Sequence, residues 1–574
     1  MSTRTSHPAS FHPDGSETVP APNGGLAHRA SVAHGERFER KLWKVRDDVW
    51  CMVGNGLSNQ TFIEGPDGLI AIDTGECVEE MQYALNAVAK ETDAPVVAVI
   101  YTHFHYVGGT AAVRGAGDSV PIWSHAGVVG NRERNGSEVG PVARSGLIYQ
   151  FGITLPDSGP DALVNVGLGT AFRNAEHRPF TAGFIEPTNT FTEPTTATIA
   201  GLRVEFTPAP SDADDSVNIW FPDLQVCVNN IVWPVLFNVF AIRGEEYRDP
   251  RVLLRGLDHV ASLGAEHLVG AHGPPLSGRD QVAEQVERSS DAVRFMWDQT
   301  VRGINKGLVS GELTEFVQLP VEYSASYLQT QFYGVVEHHV RQIHAGLRGF
   351  FDGDEANLFP VPPRDRAEKM IAGFGGVDAV RAQIKVAAAA DDLRWAIDMA
   401  TWLARVADDE SGAADRQRLA DLLRTVAHRT TAANIRNWCL TRARHLDGTM
   451  STDRFHAHRF DREAVRQGNP GDALSTLRVM LDPLRCTGQT MHVAVELPDA
   501  RAGLLVRRGV AVLTDGSDAD ATVSMDRDTW AEIVTGKISI ADAFEAGTAT
   551  VTPTSPDQVT AFFSWFEHPA FENA

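Results

Sequence analysis

At 574 residues with 43% hydrophobic content, the chain is too long for one small domain and rich enough in apolar residues for well-buried cores, roughly three or four domains at about 150 residues each. Its 51 basic and 74 acidic residues leave a net charge of −23, so no excess cation is available to neutralise phosphates, which argues against a nucleic-acid partner. Five widely spaced cysteines without a CxxC pair indicate neither a zinc knuckle nor a disulfide framework, and no apolar run approaches the ~20 residues that span a bilayer, so the expectation is a cytoplasmic protein with no membrane span.

Residues 1–39 are expected to form a disordered tail, since the first 36 are rich in Ser, His, Pro and Gly and lack the apolar stretch of a signal peptide. Short strands follow in "LWKVRDDVWCMVG" and "NQTFIEGPDGLIAIDTG", with Pro66-Asp67-Gly68 as a hairpin turn. A helix, "EEMQYALNAVAKET", and a buried strand, "APVVAVIYTH", come next, and that strand delivers histidines at its C-terminal end. Residues 123–192 read as a loop-heavy insertion that covers a site. Two further strands, the helix "PRVLLRGLDHVASLG" and the strand "HLVGAHG" close an α/β domain near Gly278. Apolar residues at three- and four-residue spacing predict helices to about Leu446, a bundle or dimer interface, and the remainder alternates strand and helix signals as a separate α+β module.

The strongest chemical signal is His103-Phe104-His105. Two imidazoles at i and i+2 on an extended strand end can face one way and grip one ion, and Gly108-Gly109 permits a tight backbone approach just beyond. Further ligands should come from later strand ends: Asp212 with its neighbours Asp214 and Asp215, Asn229 or Asn230, and His272. Only one of the three aspartates need face a metal, the others reading as a solvated acidic turn.

From about Arg40 onward the sequence resembles the alkyl sulfatases of the metallo-β-lactamase superfamily. The matching stretches include "VWCMVGNGLSNQTFIEGPDGLIAIDTG", "PVVAVIYTHFH", "LIYQFGITLP", "AIRGEEYRD", "QFYGVVEHHV" and "FFDGDEANLFPVPP". The resemblance implies a dizinc hydrolase domain, a helical dimerisation domain and a sterol-carrier-type domain. In that family the first motif runs Thr-His-x-His-x-Asp-His before its glycine pair, whereas here His105 is followed by Tyr106-Val107-Gly108-Gly109. Deleting two residues puts Tyr106 where the last histidine stood, which leaves His272 alone at the second metal. Asp212 matches the family's first-metal glutamate, and the bridging glutamate falls on Asn230, or on Asn229 with a shifted gap. Arg243 matches the sulfate-binding arginine, Arg248 stands where some relatives place a histidine acid, and Tyr149, Gly167, Tyr333 and His338 fall on pocket-lining segments.

The expected architecture is therefore α/β: a metallo-β-lactamase-type αββα sandwich (40–280), an all-α dimerisation domain (281–447) and an α+β sterol-carrier-like domain (448–574). The expected activity is metal-dependent hydrolysis of a small ester with an apolar portion, by a homodimer holding one divalent ion per chain. Zinc is the default by analogy, and iron or manganese suits the same ligands. The site is read as His103, His105 and Asp212 on the metal, with His272 and Asn230 as further ligands. Arg243, Tyr106 and His338 are the catalytic candidates, and Arg243, Tyr149, Gly167 and Tyr333 bind substrate. The alternatives are a lyase or iron-dependent oxidation at the same centre, and a non-catalytic dimeric binder of lipid-like ligands.

Overall fold

Every residue of Val49–Val53 is buried, because this strand serves two apolar faces. Val49, Cys51 and Val53 point into a core between two sheets, while Trp50 and Met52 point into a second core under a helix, as the two-residue period of a strand requires. The computed structural model describes residues 15–113, 120–136, 138–407, 412–452 and 455–571.

The chain divides into two compact units, Met1–Arg132 with Arg144–Thr452, and Glu133–Ala143 with Asp453–Ala574. In the first, β1 (Thr18–Pro20) and β2 (Leu26–His28) form a hairpin that leads into α1 (Arg29–Gly35). A seven-stranded sheet follows in sequential order: β3 (Lys41–Arg46), β4 (Val49–Val53), β5 (Gln60–Gly65), β6 (Gly68–Ile72), β7 (Val96–Ile100), β8 (Ile122–His125) and β9 (Asn189–Phe191). A second sheet of six strands, β10 (Thr195–Ile199), β11 (Leu202–Pro208), β12 (Val217–Phe221), β13 (Val226–Asn229), β14 (His267–Gly270) and β15 (Leu276–Ser277), packs face to face on the first. Helix α2 (Val78–Val88) covers the outer face of the first sheet, through Met81, Ala84 and Val88. Along the chain come α3 (Val128–Gly136), α4 (Gly140–Phe151) and α5 (Pro250–Leu263), and α5 together with α6 (Arg279–Asn305) covers the second sheet. The result is the expected αββα sandwich.

The helical region continues through α7 (Ser310–Phe316), α8 (Val336–Arg348), α9 (Pro363–Gly373), α10 (Val377–Ala389), α11 (Leu393–Val406), α12 (Ala413–Arg429) and α13 (Ala433–Leu446). It shares a compact unit with the sandwich, since Val336, Val340 and Ile343 of α8 enter the core that also holds Trp233 and Leu257. The second unit carries a five-stranded sheet, spanning Thr490–Leu497 to Ala549–Thr552, over a core containing Trp530, Phe562 and Phe566. No helix among the described residues is long and apolar enough to cross a membrane.

The expected disordered tail is corrected over residues 15–39. His34 and Phe38 are buried, and Arg436 of α13 donates to the Leu26 carbonyl from Nε (3.1 Å) and Nη2 (2.9 Å). These anchors lie hundreds of residues away, so nothing in the local composition reports them. Residues 1–14 lie outside the described residues.

Candidate metal centre

Strand β7 ends at Ile100, and His103 continues in extended backbone before a single 3-10 turn at Phe104–Tyr106 presents His105. The following glycines are required by packing: a Cβ on Gly109 would collide with the Thr74 carbonyl oxygen, and one on Gly108 with that of Glu76. Gly108 N–H donates to Gly75 O (2.8 Å), which ties this loop to the one after β6.

The tautomer of His103 follows from its neighbours. Thr102 Oγ1 gives its proton to Asp73 Oδ2 (2.6 Å), so it accepts from His103 Nδ1–H (2.8 Å), and the Nε2 lone pair faces the site. Asp212, from the loop after β11, places Oδ2 3.2 Å from His105 Nδ1 and Oδ1 3.8 Å from His103 Nε2. The three side chains bring one ligand atom each within 4.8 Å of one another, the one such cluster among the described residues.

These residues fit a metal ion. His103 Nε2 is buried without a hydrogen bond, an arrangement costly unless something else satisfies it, and the ring nitrogens of His105 face the carboxylates of Asp212 (3.2 Å) and Glu245 (3.5 Å) without hydrogen-bond geometry. Burial drives the His103 imidazole down to about 3, so it is neutral as a ligand must be. On His105 burial is outweighed by the Asp212 and Glu245 carboxylates, which hold the ring up at about 9, so an ion has to displace its proton. Burial alone would raise Asp212, but the two imidazoles and Arg248 outweigh it and hold the carboxyl well below its ordinary range.

The other two expected ligands are placed differently. His272 donates from Nδ1 to Leu57 O (3.0 Å), and its Nε2 accepts from the Tyr106 hydroxyl (3.3 Å), so it is spent on a protein partner outside the ligand cluster. Asn230 turns its amide nitrogen to the site, donating to Asp212 Oδ1 (2.6 Å) and Ser211 Oγ (3.2 Å), while its Oδ1 accepts from Trp233 Nε1 (3.2 Å). The indole N–H fixes this orientation, and a nitrogen donor cannot ligate. Asn229 accepts from the backbone N–H groups of Ile231 and Val232, and Asp214 accepts from Asn131. Burial pushes the Asp215 carboxyl up to about 7.

Beside the cluster, Arg243 and Arg248 both form ion pairs with Glu245, whose Oε1 lies 3.5 Å from His105 Nε2. Burial opposes the charge on Glu245, yet the two guanidinium groups hold its pKa down at about 2. Arg248 also donates from Nη1 to the Asn238 carbonyl (2.8 Å) and side-chain oxygen (2.6 Å). Arg243 N–H donates to Gln150 Oε1 (3.2 Å), and Gln150 Nε2 donates to the Tyr333 hydroxyl (2.7 Å), which places Tyr333 next to the arginine loop.

Residues 53–228 match the metallo-β-lactamase superfamily, 310–449 the alkyl sulfatase dimerisation region and 460–572 the alkyl sulfatase C-terminal region. A linear primary-alkylsulfatase of Pseudomonas sp. (strain ATCC 19151) is 33% identical over 499 residues, 83% of this chain and 93% of that protein. The chain belongs to the alkyl sulfatase family. An (R)-specific secondary-alkylsulfatase of Pseudomonas sp. is 28% identical over 93% of this chain and 81% of its own length. The solved structure of the inverting sec-alkylsulfatase Pisa1 from Pseudomonas sp. superposes with a TM-score of 0.83 over 98% of this chain and 92% of that one, at 24% identity, so the two share a fold.

Within this alkyl sulfatase fold, several expected pocket residues have partners outside the ligand cluster. His338 lies beside Glu337 (3.9 Å) and the Phe240 ring (5.7 Å), a third of its side chain exposed, whereas its neighbour His339 is buried and accepts from Phe240 N–H (3.2 Å). Helical phase explains the difference, since adjacent positions on α8 point about 100° apart. Tyr149 lies against Trp438 (5.8 Å). Gly167 packs under Tyr333, and its carbonyl accepts from His34 Nε2–H (2.8 Å), so the N-terminal segment braces this wall. Sequence reasoning missed Glu245, Asp73 and Thr102. Glu245 stands inside the "AIRGEEYRD" stretch, whose charged residues give no local sign of the burial that pairs them. Thr102 and Asp73 carry no signal beyond their strand-end positions.

Proposed function

We propose that this protein is a metal-dependent hydrolase of sulfate esters with an apolar alkyl portion, working with one divalent ion per chain as a homodimer. The convergence of His103, His105 and Asp212, with a buried His103 Nε2 that has no hydrogen bond, carries the reading. The names of the alkylsulfatase relatives support the sulfate ester, and the dimerisation-region match supports the homodimer. Zinc is the expected ion, and the same ligands suit iron or manganese.

His103 through Nε2, His105 through Nδ1 and Asp212 would hold the ion. When bound, it lowers the pKa of a coordinated water towards neutrality. The protein's own contribution is positioning. Asp73 and Thr102 set the His103 tautomer, and Asn230 anchors the Asp212 carboxylate. Arg243, a planar guanidinium suited to a tetrahedral oxyanion, orients the ester head group. Tyr106, its hydroxyl committed to His272 and its pKa driven well above the ordinary value chiefly by burial, closes the position a second ion would need.

The test combines metal quantification with release of inorganic sulfate from dodecyl sulfate. One ion per chain with turnover, both lost in His103→Ala, is expected. Two ions per chain, or turnover in metal-free protein, would overturn the reading.

A further inference from the structure

Arg243, assigned above to the ester head group, already meets an anion that the chain itself supplies. Glu245 uses Oε1 for Arg243 Nη2 and Oε2 for Arg248 Nη2, and its side chain is only 14% exposed. Arg248 is held on its other side by Asn238, so the carboxylate cannot swing away without leaving that buried guanidinium half-paired. Arg243 lacks such a side-chain anchor: the Nε atoms of both arginines are buried without a hydrogen-bond partner, but Asn238 holds only Arg248, which leaves one edge of the Arg243 guanidinium for an incoming oxyanion. Any anion that takes this edge lies beside the fixed negative charge of Glu245, in surroundings where solvent screens little.

Repulsion from a fixed charge scales with the charge of the ligand. A sulfate monoester carries one negative charge, whereas inorganic sulfate carries two, as phosphate monoesters largely do at neutral pH. We propose that Glu245 is a specificity-determining residue that lets the Arg243 site admit monoanionic head groups and disfavour dianions. This rests on the reading of Arg243 as the head-group ligand. It gives the site a means of rejecting phosphate monoesters and of shedding the dianionic product.

The experiment measures binding of methyl sulfate (monoanion) and inorganic sulfate (dianion) to the metal-loaded full-length protein by titration calorimetry, with metal content checked for each sample. Glu245→Gln is expected to tighten methyl sulfate about tenfold and inorganic sulfate about a hundredfold, because the second anion has twice the charge to gain. Glu245→Ala, which leaves space instead of an amide, is expected to shift the preference the same way, and Glu245→Asp to keep the wild-type preference. A purely structural role would weaken both anions together. That outcome, an unchanged ratio between them, or no binding of either anion to any of these proteins would overturn the proposal. Turnover is not part of this readout, so a wild-type protein inert towards alkyl sulfates would sink the hydrolase reading alone.

Discussion

The hydroxyl of Tyr106 donates to Nε2 of His272 across 3.3 Å, and the other ring nitrogen of His272 donates to the Leu57 carbonyl. Both nitrogens are thus satisfied inside the protein, and burial lowers the imidazole to about 4, so the ring is a neutral acceptor for the phenol. Tyr106→Phe should strand that acceptor and lower stability by about 1–3 kcal/mol, with metal content unchanged. Chemical denaturation together with metal analysis checks this. The phenylalanine ring still fills the position of a second ion, so a gain of one in the variant would contradict this prediction.

Thr102→Val keeps the shape of the side chain and deletes the hydroxyl that accepts from His103. The imidazole then loses the partner that fixes its tautomer. Metal affinity should fall about 10–100-fold, read by competition with a chromogenic chelator.

Gly146 in α4 faces the Arg243 backbone so closely that a Cβ would collide with the Arg243 carbonyl oxygen. Gly146→Ala should push the arginine loop outward and raise KM for dodecyl sulfate by about ten- to a hundredfold with metal binding retained. Steady-state kinetics on metal-replete protein decides it.

The buried histidines should cost stability in mild acid. His34 is depressed to about 4 and His339 to about 3, in each case first by burial. A depressed histidine is neutral in the native state but takes up a proton in the unfolded chain near 6.5, so its contribution is complete above that pH and is lost as pH falls towards the folded value. His34 alone accounts for about 3 kcal/mol between pH 6.5 and 4. Buried carboxyls such as Asp215, raised to about 7, work in the opposite direction, so the comparison that isolates His34 is with His34→Gln. The wild type should lose about 3 kcal/mol more than the variant across that range, and an equal pH dependence of the two would contradict the assignment.

Much of the sandwich was legible because two-faced burial writes itself as continuous apolar runs, as in Val49–Val53 and Val96–Ile100. His103 and His105 were legible for a related reason, since a strand end is a fixed place from which two side chains can reach one point. Asp212 could be found only as the carboxylate after the next suitable strand. Asn230 reads from the sequence as a further ligand, but which end of its amide faces the site depends on the indole of Trp233, which the sequence does not reveal. Glu245 was hidden by its company: charged residues in a loop look solvated until folding encloses them. The segment from Thr18 to Phe38 was misread because its burial depends on residues far along the chain.

That dependence bears on the order of synthesis. Leu26 emerges from the ribosome early, but its carbonyl waits for the guanidinium of Arg436, 410 residues later. At typical elongation rates this is roughly 20–80 s of translation. Through that interval the hairpin, and His34 that braces the Gly167 wall, lack their final anchor. The nascent chain therefore completes its catalytic half only after most of the helical region has been made, and ribosome stalling before Arg436 should leave an unlatched, protease-sensitive N-terminus on an otherwise assembled sandwich.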